Sequence, residues 1–111
     1  MDVHEFTLDS FDGFVNASKT SFHKAIKDED WDFYVNVCAS ISCFVNLFPE
    51  RSEDYTELIV PLIKVCSDKI DKVRKNSATL MARLAMNEEN KRVMVANHGM
   101  DVLQSIKGQL L

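Results

Sequence analysis

Between Leu58 and Ile106 the chain reads LIVPLIKVCSDKIDKVRKNSATLMARLAMNEENKRVMVANHGMDVLQSI, and its apolar residues return every three or four positions. That interval belongs to the helix, because 3.6 residues per turn bring i, i+3, i+4 and i+7 onto one side. The pattern is punctuated by Pro61, Asp68, the NEEN run at Asn87–Asn90 and Gly99. It therefore predicts an all-α ladder of short amphipathic helices, and such ladders present surfaces that hold other proteins. The whole chain has only three glycines and two prolines, few for the many tight turns of an all-β fold.

Upstream the same period continues. Met1–Phe6 shows no clear period and reads as a lead-in. From Leu8 the apolar positions Phe11, Phe14/Val15, Phe22, Ala25 and Ile26 fit a helix, with a break expected near Ser18 because Gly13 and the polar Asn16–Ser21 stretch weaken it. Asp30 is a good N-cap for a helix over 31–48, ended by Pro49. Its wide stripe (Tyr34, Val37/Cys38, Ile41, Phe44/Val45), broadened by Val35 and Cys43, predicts burial on more than one side. Ser52 opens the next segment, in which Pro61 marks either a kink or the first turn of a new helix. Asp68 would cap a helix over 69–86 that buries Ile70, Val73, Ser77/Ala78, Leu80/Met81 and Leu84/Ala85. Asn87 would cap a helix over 88–97 with Val93, Met94 and Val95/Ala96 inward. Gly99 would supply the left-handed closing residue, and a last helix would span 100–111.

Charge and aromatic content divide the chain. Residues 1–60 carry twelve acids and four bases, and residues 61–111 carry five acids and nine bases. All seven Phe, Trp31 and both Tyr lie at or before position 55. An aromatic, acidic half thus precedes an aliphatic, basic one, within one expected domain over 1–111. No apolar run approaches the roughly 18 residues of a membrane span, and no basic start followed by an apolar segment marks a signal peptide. Cys38, Cys43 and Cys66 are odd in number and lack metal-ligand spacing, so a reducing, cytoplasmic setting without disulfides or zinc fits.

The order LIVPLIKVC, turn, long helix ending LMARLA, then NEENKRVMVANHGMDVL resembles the armadillo repeat, over roughly Tyr55–Leu110. Pro61-Leu62-Ile63 matches the start of the family's second helix. Ala78, Leu80, Met81, Leu84 and Ala85 match its third, and Asn87–Gly99 a new first helix. Residues 1–50 would be a divergent hairpin or capping repeat, and HEAT repeats are a near relative. The resemblance implies a right-handed superhelix of about six helices, whose third helices line a protein-binding groove. Importin-type members carry tryptophan and asparagine on that helix where this chain has Thr79 and Arg83. That argues against a nuclear-signal receptor and for acidic cargo.

Catalytic chemistry is not indicated. Asp28, Asp30 and Asp32 superficially resemble a calcium loop, yet Phe33 and Ala39 stand where glycine and a bidentate glutamate are required. His4, His23 and His98 share no ligand spacing with cysteines or acids, and no nucleophile or phosphate-loop motif occurs. No cofactor is expected. The partner-binding candidates are Lys72, Lys75, Asn76, Thr79 and Arg83, one polar face of the long helix, weighed against an ordinary solvated face. The uncapped end at Val102, Leu103, Ile106 and Leu110 is the candidate for self-association into a homodimer. The expected function is a non-enzymatic adaptor or scaffold, a terminal piece of a larger protein, binding an acidic or amphipathic-helical segment. A chaperone cofactor or regulatory subunit is the alternative. Nucleic acid ranks lower, since acids interleave the bases and aromatics are missing from the basic half.

Overall fold

A computed structural model of the chain describes the backbone of residues 3–66, 70–99 and 101–102, with side chains from Ser10 onward. Five α-helices follow one another: α1 (Val3–Lys27), α2 (Trp31–Leu47), α3 (Ile59–Val65), α4 (Asp71–Leu84) and α5 (Glu88–Ala96). A 3₁₀ segment, Pro49–Leu58, joins α2 to α3. No strand occurs among the described residues. Of the expected last helix only Asp101 and Val102 are described, and both are helical.

α1 departs from expectation at both places where the sequence looked weak. It is helical from Val3 and runs unbroken through Ser18. Ser18 is turned inward, where its hydroxyl donates to the Val15 carbonyl at 3.0 Å and sits 2.8 Å from the Tyr55 hydroxyl. With the serine proton committed to the backbone, Tyr55 is the donor in the second bond. A polar residue that looked like a break is thus a tertiary attachment point. The helix ends in a Schellman motif: Asp30 N–H donates to the Ala25 carbonyl and Glu29 N–H to that of Ile26. Glu29 takes the left-handed conformation, at φ 54°.

α2 begins as expected, with the Asp30 carboxylate accepting from the Phe33 amide, and it stops before Pro49. It packs against α4 most extensively and against α1 on another side, so its wide apolar stripe is buried from two directions. Cys43 is exposed and Val35 only partly buried, so neither broadens the buried stripe as expected. After Pro49 the residues buried are Ser52, Tyr55 and Leu58, three apart. A three-residue turn aligns that spacing where an α-helix would rotate it away, which accounts for an unusually long 3₁₀ run. Pro61 lies in the first turn of α3, where its missing N–H is harmless.

α4 starts at Asp71 rather than residue 69. Ile70 is extended (φ −78°, ψ 114°) and exposed, which corrects its expected burial; its carbonyl accepts from the amides of Val73 and Arg74. The expected Asp68 cap lies outside the described residues. Val73, Ser77, Ala78, Leu80, Met81 and Leu84 are buried as the period predicts. In α5 the Asn87 side chain caps the amide of Asn90. Met94 is buried and Val93 partly so, while Val95 and Ala96 are exposed; the second buried residue is Asn90. Its amide donates to the Ser52 carbonyl at 2.9 Å, and its oxygen accepts from Thr56.

Gly99 does not close α5 by a left-handed turn. His98 does so, at φ 61°. Gly99 is needed for close approach instead, since a Cβ there would meet Ile63 Cδ1 at 2.9 Å and Met94 Cβ at 3.3 Å. The aromatic first half and aliphatic second half join in one core cluster, from Val15 and Phe22 through Tyr34 and Tyr55 to Leu84 and Met94.

Candidate interaction surface

The five residues of the expected binding stripe share the outer side of α4, with Lys72, Lys75, Thr79 and Arg83 exposed and Asn76 partly so. Two of the three cations are engaged by α2, which lies alongside. Lys72 pairs with Asp32, and Arg83 donates to the Asn46 side chain at 2.8 Å. Asn76 and Thr79 bond back to the carbonyls of Lys72 and Lys75, one turn earlier. Among the described residues Lys75 alone of the three makes no bond to a neighbouring element. The stripe is therefore a surface shared by α4 and α2, less cationic than its sequence suggests. Ion pairs this exposed contribute at most about 1 kcal/mol and yield readily to a competing ligand.

Arg83 also lines a cavity of about 630 Å³ between two corners of the chain. The α2–3₁₀ corner gives Val45, Asn46, Pro49 and Glu50; the α4–α5 corner gives Met86, Asn87 and Glu88. Met86 is 82% exposed here, a large flexible apolar side chain left in solvent. The sequence placed it at the end of a helix and gave no sign of a cavity, because the two walls are about forty residues apart and meet only on folding.

A second, shallower groove of about 250 Å³ runs between α1 and α2, lined by Phe14, Ala17, Ser21, Phe33, Asn36 and Ser40 among others. Its two phenylalanines are 36% and 38% exposed.

The terminal candidates divide. Val102 is partly buried and packed against the core, and Leu103, Ile106 and Leu110 lie outside the described residues. Of the thiols, burial pushes Cys38 up to about 12 and Cys66 up to about 11, so neither is a nucleophile at neutral pH. No group of three metal-ligating side chains occurs among the described residues, and no described helix is long and apolar enough to cross a membrane. No family model, curated protein or solved structure matches the chain.

Proposed function

We propose that the protein is a non-enzymatic interaction module of armadillo-like helical-repeat type, which seats an amphipathic helix of a partner along the α4–α2 face. The observation that carries this reading is the cavity at Arg83 and Met86, at the foot of the polar stripe. An apolar side chain of the partner enters beside Met86, Val45 and Pro49, and an acidic residue of the same segment meets Arg83 or Lys75. Helix-in-groove recognition uses anchors of this kind at helical spacing. A long run of acids fits less well, because Asp32 already answers Lys72 and because Glu50 and Glu88 line the cavity.

The packing order supports the repeat assignment. α4 lies against α2, and α5 lies against the 3₁₀ segment. This is the arrangement expected when each element stacks on its counterpart one unit earlier.

The test is fluorescence polarisation with a library of amphipathic helical peptides carrying single acids. Arg83→Glu and Met86→Asp should each weaken a selected peptide by at least about tenfold, as anchor positions do. Lys91→Glu, on α5, should leave it unchanged. Equal binding by all three variants rejects this surface, and the absence of any binding peptide rejects the reading.

A further inference from the structure

α2 is unusual among the helices in carrying one charged residue, Asp32, in seventeen. Its positions Phe33, Asn36, Ser40, Cys43 and Leu47 recur at three- and four-residue spacing along one side. Apart from Ser40 and Asn36, which are polar but neutral, the stripe is apolar or a thiol, and Leu47 is 65% exposed. α1 continues the surface across the groove with Phe14, Ala17 and Ser21, none of them charged. Yet this half of the chain holds twelve acids and four bases. Charge stands at one end of the face, at Asp32, Lys24 and Asp28, and is missing from its centre.

We propose that the α1–α2 face is where two copies of this chain meet in an isologous dimer. A two-fold contact sets the centre of a patch against itself, so a charge at the axis would confront its own kind; a neutral centre suits such a face. A partner chosen by charge would instead need a complementary sign at that centre, and none is there. The projecting Phe14 and Phe33 flank a groove of about 250 Å³, so ridge and hollow both belong to one surface, as self-complementarity requires. Two helices packed about 10 Å apart, the shorter of them about 25 Å long, offer roughly 500 Å² per copy. The resulting total of roughly 1,000 Å² is at the low end for a specific interface, so the dimer is weak. This face is separate from the α4 stripe, and the two contacts stand or fall independently.

Salt provides a signature. Joining the copies here brings two acidic halves together, so added salt strengthens the dimer by screening their repulsion. A contact between an acidic and a basic surface would weaken instead.

The experiment is sedimentation equilibrium on the whole chain across concentration, at low and high salt. The mass should rise from 12.7 kDa toward twice that value, at lower concentration when salt is high. Ser40→Asp and Ala17→Asp, both at exposed positions, should each remain monomeric with unchanged helical circular dichroism. An equimolar mixture of Ser40→Asp with Ser40→Lys should recover the doubled mass. A monomer at every concentration and salt, a dimer weakened by salt, or a dimer indifferent to both aspartates would overturn the proposal.

Discussion

The hydroxyls of Tyr34 on α2 and Ser77 on α4 lie 2.5 Å apart, both fully buried, at the junction of the two helices that make the most extensive contact in the molecule. Each group is the other's partner across 43 residues of chain. Tyr34→Phe should cost about 1–3 kcal/mol, because it strands the serine hydroxyl in the core. Adding Ser77→Ala should recover much of that loss, since an apolar pair leaves nothing unsatisfied. Urea denaturation of the two single variants and the double variant measures this; strictly additive losses would contradict the pairing.

Alkaline pH should destabilise the fold. Burial holds Cys38 at about 12 and Cys66 at about 11 against an ordinary 9.0, and it also raises Tyr34 and Tyr55 above 10.0. The unfolded chain therefore loses these protons first. The stability they contribute is fully present below pH 9 and is lost as pH rises through the folded-state values. The decline reaches up to about 1.4 kcal/mol per pH unit for each thiol. Removing both thiols (Cys38→Ala with Cys66→Ala) should flatten the slope between pH 9 and about 11, whatever it does to stability at pH 7. Denaturation midpoints across that range provide the check.

Glu29 closes α1 with a left-handed backbone that a Cβ disfavours. Glu29→Gly should raise stability by about 1 kcal/mol, a shift in Tm of roughly 4–8 °C for a domain of this size. The side chain is exposed and forms no hydrogen bond or ion pair among the described residues. A lower Tm would show that the motif is not strained.

Gly99→Ala should lose about 1–2 kcal/mol, the cost of pressing a methyl against Ile63 and Met94. The nearest obstruction is Ile63 Cδ1, so the same change in an Ile63→Val background should cost markedly less. Thermal melts of the four-member cycle decide whether the glycine serves packing. An equal cost in both backgrounds would point to backbone conformation instead.

Asn90→Ala should destabilise by about 2 kcal/mol, since it leaves the buried Ser52 carbonyl without its donor, while the Thr56 hydroxyl keeps the Glu53 carbonyl as an acceptor. Asn90→Asp should be worse above the carboxylate's pKa, because the lost amide donor is replaced by an acceptor facing that carbonyl. Equal stability of Asn90→Asp at low and neutral pH would refute this orientation of the side chain.

What the sequence determined by itself was whatever depends on near neighbours. Asp30 and Asn87 cap the helices they precede, and Pro49 stops α2, because each effect is a bond made or forbidden within four residues. The apolar period placed the core of α4 for the same reason. Tertiary structure decided the rest. Ser18 and Asn90 are polar residues inside the fold only because Tyr55, Ser52 and Thr56 arrive from 34 to 38 residues away to satisfy them. Gly99 is small because Ile63 comes to meet it. The cationic stripe on α4 is tempered by Asp32 and Asn46, and its cavity is walled by residues of α2 and the 3₁₀ segment. Periodicity reports which side of a helix turns inward, and it is silent about what stands opposite, because that depends on contacts between segments far apart in the chain.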